Sequence, residues 1–139
     1  MPDERLFFLL QRAAHQLRVS ADRRCVAAAG ITTAQLGALF VVHDQPGVTQ
    51  QELAAELGQR ESAITAMVAR LIDAGLVTRR PHARQYRAMA LHLSPAGTRA
   101  LTRVRPEMAE FNAELLAALG ADGFDQAVAV LGRLAEWQS

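Results

Sequence analysis

The chain has 139 residues, of which 50% are hydrophobic, and a formal net charge of +1. This length suffices for one compact domain with helical extensions. No run of about 18 or more apolar residues occurs, so no membrane-spanning segment is predicted, and the acidic start Met1-Pro2-Asp3-Glu4 does not resemble a signal peptide. The only cysteine, Cys25, excludes an intramolecular disulfide and fits a reducing cytoplasm. Because aromatic residues make up 5% and alanine and leucine dominate, we expect a mostly α-helical protein, and the cysteine usage predicts a cytoplasmic one.

Positive charge is concentrated in the middle of the chain. Positions 59–90 hold six arginines against two acidic residues, so the flanking arms are acidic overall. A basic middle between acidic arms indicates a local anionic partner. All 15 basic residues are arginine, whose planar guanidinium suits bidentate contacts to phosphate and guanine. The same bias can equally reflect genome composition.

A long first helix is predicted from about Asp3 to Ala28, with leucines and alanines along one face. Phe7 and Phe8 widen this face beyond what a surface helix needs, which suggests that it is buried against a partner subunit. Gly30 is expected to end the helix.

Two capping boxes predict the starts of the next two helices, because a Thr with Gln or Glu three residues later satisfies free backbone amides reciprocally. The pairs are Thr32 with Gln35 and Thr49 with Glu52. The turn residues 44–47 separate the two helices, and Gly58 supplies the bend after the second.

The following helix, at about residues 60–74, is the one around which the rest is arranged. Its apolar positions recur with helical spacing and form one buried stripe: Ile64, Met67, Val68, Leu71 and Ile72. The opposite face is small, hydroxylated or basic, and suits contact with a charged polymer: Arg60, Ser62, Thr65, Ala66, Ala69 and Arg70. Gly75 is expected to adopt a left-handed cap conformation at the end of this helix.

Two strands, Leu76 to Arg80 and Ala88 to Leu93, are predicted around a short basic loop. Helix, turn, helix and basic hairpin follow in the order of a winged helix-turn-helix. Ser94 and Pro95 then begin another helix, which Pro106 is expected to kink or break. Residues 120–123 predict a turn before a last helix. The predicted fold class is mostly α, a winged helix-turn-helix with a small β-hairpin wing and flanking dimerisation helices.

Four segments in register resemble the MarR family of bacterial transcription regulators, and they are distributed over nearly the whole chain. They are residues 30–35 (GITTAQ), 49–54 (TQQELA), 71–79 (LIDAGLVTR) and 93–97 (LSPAG). The resemblance implies a homodimer built from the first and last two helices, two winged lobes on one palindromic DNA, and a small-molecule or redox input. It divides the chain into a helical dimerisation region, residues 1–30 and 95–139, and a DNA-binding region, residues 31–94.

The chain departs from this family at the wing. The family's usual Asp-x-Arg falls on Gln85-Tyr86-Arg87, so the arginine is present but the acid is a glutamine. A neutral amide holds an arginine less firmly than a carboxylate does. We therefore expect Arg84 to take over a minor-groove or phosphate contact.

The predicted DNA-binding residues fall into three groups. For the helix in the major groove, base contacts are expected from Ser62, Ala63, Thr65 and Ala66, and a phosphate or guanine contact from Arg70. Backbone phosphates are expected at helix starts and turns, namely Thr49, Gln50, Gln59 and Arg60. The basic wing, at residues 79–93, contributes Arg79, Arg80, Arg84 and Arg87.

A small aromatic or phenolic effector is expected between the first helix and the DNA-binding region. Position alone suggests its contacts: Phe8, Gln11, Arg12, His15 and Phe40. An arginine there would suit an aromatic carboxylate, although a core or solvent role is the alternative for each residue. The four histidines form no close metal-ligand pair, so no metal site is predicted.

The sequence therefore predicts a homodimeric, effector-responsive DNA-binding regulator, a repressor of its own or a nearby promoter. One alternative is a thiol-based sensor, since Arg23 and Arg24 beside Cys25 would lower the pKa of its thiol. A second is a winged-helix interaction module that has lost sequence-specific DNA binding, for which Gln85 is the supporting feature. No phosphate-binding glycine loop, nucleophile–base pattern or catalytic carboxylate pair is present, so we expect neither enzymatic activity nor a cofactor.

Overall fold

The computed structural model describes all 139 residues and contains five helices and one two-stranded antiparallel sheet. In chain order these are α1 (Leu6–Ala29), α2 (Thr33–Asp44), α3 (Gln50–Leu57), α4 (Glu61–Asp73), β1 (Val77–Pro81), β2 (Met89–Leu93) and α5 (Pro95–Ala135). The predicted fold class, a mostly helical protein with a small hairpin, is confirmed.

The hydrophobic core lies within the lobe formed by α2, α3, α4 and the hairpin, and it is closed by parts of α1 and α5. Its 16 buried side chains include Leu39, Leu53, Ile64, Leu91 and Val104, one from each of five elements. Removal of these side chains from water is the main force that fixes the four elements and the long helices relative to one another.

Both predicted capping boxes are present at the starts of α2 and α3. The backbone N–H of Gln35 donates to Thr32 Oγ1 at 3.2 Å, and Gln35 Oε1 accepts from the Thr32 N–H at 3.0 Å. Thr49 and Glu52 repeat this reciprocal pair at 3.1 and 3.3 Å. The start of the helix-turn-helix is therefore fixed locally before any long-range packing is considered.

The end of α4 is joined closely to the start of α5. Gly75 has a left-handed φ of 75°, as predicted, and the following Leu76 N–H donates to the Leu71 carbonyl. Ser94 Oγ donates to the Gly75 carbonyl at 2.5 Å and accepts from the Gly97 N–H at 3.0 Å. The cap of α5 is thus also a link to the last turn of α4.

The hairpin has the predicted strands, each displaced by one residue at the start. The register runs from Val77 opposite Leu93 to Pro81 opposite Met89. An isolated bridge between Val48 and Leu91 connects the hairpin to the turn before α3. This bridge fixes the base of the wing relative to the helix-turn-helix.

Pro106 does not break the last long helix, which was one of the two outcomes predicted for it. Helical backbone continues through Pro106, and the one non-helical residue inside α5 is Gly120, with φ 75° and ψ 162°. Pro106 is exposed, so the carbonyl of Thr102 that it leaves unbonded can be hydrated, while the buried Leu101 and Val104 hold this turn in place. The predicted turn at residues 120–123 is confined to Gly120.

Helix α5 is long and apolar enough to cross a membrane by length and composition alone, and its apolar stretch is exposed in the isolated chain. The same composition is expected of a helix whose apolar face is covered by another protein surface. The backbone break at Gly120 interrupts the helix, which favours a covered protein surface.

Candidate DNA interface

Helix α4 presents one face to the core and the other to solvent. Ile64, Val68 and Leu71 are buried with at most 1% exposure. The side chains predicted to contact DNA lie on the exposed face: Ser62, Ala63, Thr65, Ala66 and Arg70. The helix is therefore held by its apolar stripe, while its small and polar side chains lie on the solvent side.

A polar groove of about 450 Å³ separates the starts of α3 and α4 from the wing. It brings together four of the predicted residues, Thr49, Gln50, Arg79 and Arg87. The remaining lining residues were not predicted and are Gln51, Glu61, Gln85, Tyr86, Ala88 and Met89. No pattern in the sequence joins these residues, since Glu61 stands in the first turn of α4 and Tyr86 between Gln85 and Arg87.

Gln50 connects the two sides of this groove. Its amide Nε2 donates to Thr65 Oγ1 at 3.3 Å, and its Oε1 accepts from Arg79 Nη1 at 3.4 Å. Thr65 Oγ1 in turn donates to the Glu61 carbonyl. One side chain from α3 therefore aligns a hydroxyl of α4 with a guanidinium of the wing.

Thr49, Gln59 and Arg60 differ in how available they are to a ligand. Thr49 is 5% exposed, and its hydroxyl is engaged by Glu52 in the capping box. Gln59 and Arg60 are exposed in the bend between α3 and α4, and Arg60 makes no side-chain capping bond. Gln59 and Arg60 are thus more available to a phosphate than Thr49 is.

The wing carries arginines on both faces of the hairpin, because successive strand residues point to opposite sides. Arg79 faces the groove beside Gln50, whereas Arg80 and Arg84 line a second groove of about 390 Å³ on the other side. The rest of its lining comes from the turn before α3, both strands and the loop between them: Pro46, Gly47, Pro81, His82, Ala83, Ala90 and His92.

The wing tip has a defined conformation although Gln85 has no side-chain hydrogen bond to Arg87. Arg87 adopts a left-handed φ of 63°, and its guanidinium lies 5.2 Å from the centre of the Tyr86 ring. His82 Nδ1 accepts hydrogen bonds from the backbone N–H groups of Arg84 and Gln85, each at 3.0 Å. The histidine was not singled out from the sequence.

The residues predicted to bind an effector do not line one cavity in the single chain. Phe8, Gln11, Arg12 and His15 are exposed on α1, and Phe40 is half-buried on α2 with the Arg105 guanidinium 5.9 Å from its ring centre. An apolar groove of about 460 Å³ instead lies further along α1, against α5. Its lining is Ala13, Gln16, Leu17, Asn112, Leu115, Ala118, Leu119, Phe124, Ala127, Val128 and Leu131.

The expectation that neighbouring arginines lower the pKa of the Cys25 thiol is wrong. Cys25 is fully buried, with its Sγ 3.7 Å from Met108 Sδ. Burial raises the pKa of the thiol, and the negative charges of Asp22 and Glu107 raise it further. Arg24 is directed elsewhere, to an ion pair with Glu114 and to the Phe111 ring. The reactive thiolate is therefore disfavoured.

A helix-turn-helix followed by a two-stranded hairpin, with an exposed polar face on the second helix, defines a winged helix-turn-helix. A sequence profile of the MarR family matches residues 29–88, which span this unit. A curated relative, the putative transcriptional regulatory protein for the hcr operon of Thauera aromatica, is 33% identical over 75 residues. That match covers 54% of this chain and spans 45% of the relative's length.

Solved structures extend the likeness to nearly the whole chain. The transcriptional repressor CouR bound to a 23-mer DNA duplex is 29% identical, with a TM-score of 0.88 over 94% of this chain and 92% of its own. CouR bound to p-coumaroyl-CoA is 29% identical, with a TM-score of 0.84 over 96% and 93%. Residues 29–88 match the MarR family of transcription regulators, and nearly the whole chain has the fold of the repressor CouR. The matched proteins are transcription regulators and not enzymes.

Proposed function

We propose that this protein is a cytoplasmic homodimeric repressor that binds a palindromic operator and is released by a small-molecule effector. The observation that carries the proposal is the groove between α4 and the wing, where Gln50 aligns Thr65 with Arg79. A helix face of small side chains fits the major groove, and an arginine-bearing wing fits the adjacent backbone or minor groove. CouR, the structural relative described above, is a repressor bound to duplex DNA.

The DNA contacts proposed for this chain follow from that arrangement. Ser62, Ala63, Thr65 and Ala66 are assigned to base edges, and Arg70 to a phosphate or guanine. Phosphate and minor-groove contacts are assigned to Gln50, Gln59, Arg60, Arg79, Arg80, Arg84 and Arg87. Thr49 is assigned to the same group through the start of α3, which it caps. If a dimer makes about 6 to 10 phosphate contacts, affinity should fall ~10³–10⁵-fold between about 50 and 200 mM salt.

Dimerisation is supported by the apolar surface that α1 and α5 leave exposed. Phe7 is 62% exposed, Phe8 67%, Val128 60% and Leu131 50%. Large exposed apolar side chains on two helices that pack against each other are typical of a protein–protein contact. We therefore assign residues 1–30 and 95–139 to the dimer and residues 31–94 to DNA, with half-sites about one helical turn, ~10 bp, apart.

The effector proposed is a small aromatic or phenolic molecule, free or carried as a thioester. The structure of CouR with p-coumaroyl-CoA supports this chemical class. Phe8, Gln11, Arg12, His15 and Phe40 are the proposed contacts, in a site that the second subunit would complete. Because two half-sites must be engaged together, a small change in the spacing of the two α4 helices would weaken binding without touching the base-reading residues.

Fluorescence anisotropy on the DNA upstream of the gene, titrated at several salt concentrations, tests the proposal. An unrelated duplex of equal length is the control. We expect selective binding with a steep salt dependence, strong loss of selectivity in Arg70→Ala, and a smaller salt slope with retained selectivity in Arg84→Ala. A folded dimer that bound no duplex, including those selected from a random library, would contradict the proposal and favour the protein-interaction module.

A further inference from the structure

The loop at the tip of the wing, residues 82–88, is closed by its own backbone. The His82 N–H donates to the Ala88 carbonyl at 2.8 Å, and the Ala88 N–H donates to the Gln85 carbonyl at 3.2 Å. Arg87 between them is in the left-handed region, with φ 63°. A non-glycine residue in that region persists only where its surroundings hold it.

A single side chain supplies the remaining hydrogen bonds within this loop. His82 Nδ1 lies 3.0 Å from the backbone nitrogen of Arg84 and 3.0 Å from that of Gln85, and it accepts from both N–H groups. An imidazole nitrogen accepts only through its unprotonated lone pair, which these two donors share. The contact therefore requires the neutral imidazole with its proton on Nε2.

No other side chain of residues 82–88 bonds the loop backbone, and Gln85 makes no side-chain hydrogen bond at all. Resemblance to the family leads one to expect an aspartate at position 85, where a charge would hold Arg87. In this chain the histidine three residues earlier orders the loop from inside instead. We propose that neutral His82 is the positioning residue of the wing tip. Its protonation releases the Arg84 and Gln85 amides and lowers the affinity of the wing for DNA.

In the free protein, the surroundings of His82 offer no negative charge to hold the imidazolium in place. Its groove is lined by Arg80 from β1, Arg84 from the loop and His92 from β2, whereas Pro46 and Gly47 from the turn before α3 carry no charge. No acidic side chain lines this groove. A protonated His82 would present an N–H to two backbone N–H groups beside two guanidinium groups, so both sets of contacts repel it.

The proposal extends the proposed DNA-binding function, but its first test needs no DNA. In the free protein, nitrogen-15 NMR should show the Nε2–H tautomer of His82 at pH 7.5. The Arg84 and Gln85 amide signals should then shift between pH 7.5 and 5.5 with the same midpoint as the His82 ring. His92→Gln is the matched control, since it removes the other histidine of the groove. In this variant the two amide signals should still share one midpoint with the His82 ring. An Nδ1–H tautomer, or amides that do not follow the ring, would overturn the proposal.

The second test compares DNA affinity at pH 7.5 and 5.5 for the wild type, His82→Asn and His82→Ala. An asparagine carbonyl can accept the same amides in an Asx-type turn but does not titrate. We expect His82→Asn to bind like the wild type at pH 7.5 and to keep its affinity at pH 5.5. The wild type should lose roughly fivefold relative to it, about the worth of one hydrogen bond, and His82→Ala should be weaker at both pH values.

Parallel pH profiles of the wild type and His82→Asn would refute the role of protonation. Equal binding by His82→Ala and the wild type at pH 7.5 would refute the positioning role. If no variant bound any duplex, the proposed DNA-binding function would fail, and the NMR titration would still decide whether His82 orders the loop.

Discussion

Gln50 Oε1 accepts a hydrogen bond from Arg79 Nη1 at 3.4 Å, and the two residues belong to elements that are not neighbours in the chain. Gln50 is the first residue of α3, and Arg79 is in the middle of β1. The other end of the same amide donates to Thr65 on α4. Because α4 and the wing are both hydrogen-bonded to the Gln50 side chain, the two elements should contact DNA as a unit.

Replacing Gln50 by Ala should therefore weaken specific binding and also uncouple Arg79. In a double-mutant cycle on operator DNA, Gln50→Ala and Arg79→Ala should be non-additive by about 0.5–1 kcal/mol. Gln51→Ala is the matched control, since Gln51 lines the same groove without a side-chain partner. If the losses of affinity for Gln50→Ala and Arg79→Ala were additive, as those for Gln51→Ala and Arg79→Ala should be, the contact would not survive in the complex.

The parts of this fold that follow from local chemistry were predictable from the sequence. Two capping boxes, a glycine at the end of α4 and an apolar stripe of period 3.6 each determine structure within one or two turns. They placed the helix-turn-helix and the exposed face of α4 correctly. The two strands of the wing were also recognisable, because a strand, a basic loop and a second strand follow Gly75 in the order that is characteristic of a winged helix.

Features that depend on tertiary context were not predictable. Helical backbone continues through Pro106, which is exposed while Leu101 and Val104 beside it are buried, and the sequence did not show which side of this helix would face solvent. The contacts of Gln50 with Arg79 and of His82 with the loop amides join positions whose spacing has no characteristic pattern. The sequence also placed arginines beside Cys25 without showing that Arg24 pairs with Glu114 instead of the thiol.

Cys25 should behave as a structural and not a redox-sensing cysteine. Burial raises the pKa of its thiol, with Asp22 and Glu107 adding to the shift, so the native protein keeps the proton at neutral pH. The folded state then binds more protons than the unfolded state above the ordinary thiol pKa, and the free energy of unfolding should decline as pH rises through that range. Iodoacetamide labelling at pH 7.5 should be at least roughly 100-fold slower in the native protein than in urea.

The functional counterpart uses peroxide and the Cys25→Ala variant. Peroxide treatment should leave the DNA affinity of the wild type unchanged, and Cys25→Ala should bind as the wild type does with a modest loss of stability, on the order of 1 kcal/mol. A peroxide-induced loss of affinity in the wild type that is absent from Cys25→Ala would instead establish the thiol-sensor alternative.

Gly97 should be intolerant of even a methyl group. A Cβ at this position would overlap the Leu76 carbonyl oxygen, which is backbone and cannot rotate away. Gly97→Ala must therefore separate the start of α5 from the end of α4, at a cost of roughly 1–3 kcal/mol in the free energy of unfolding. Urea denaturation monitored by circular dichroism measures this loss.

Gly37→Ala is the control for that substitution. Its Cβ would meet only the Leu57 side chain at 3.8 Å, an ordinary contact, and Gly37 lies inside α2. Because alanine favours a helix over glycine by about 0.5–1 kcal/mol, this variant should be as stable as the wild type or more stable. Equal stability of both variants would mean that the junction at Gly97 relaxes without loss.

The apolar groove between α1 and α5 should be covered by a second copy of the chain. Leu131 lines this groove and is 50% exposed in one chain. Leu131→Glu would bury a charge in the dimer contact, so light scattering should show a monomer whose helical circular dichroism is retained. Thr102→Glu introduces the same charge on an exposed position of α5 outside the groove and should remain dimeric.

DNA affinity then distinguishes a dimer contact from a simple destabilisation. A monomer engages one half-site at a time and loses the effective concentration that links the two, so Leu131→Glu should bind a full palindrome at least ~100-fold more weakly. Its affinity for an isolated half-site should match that of the wild type, because α4 and the wing are untouched. A monomeric wild type, or a Leu131→Glu variant that is still dimeric, would mean that another surface covers these apolar side chains.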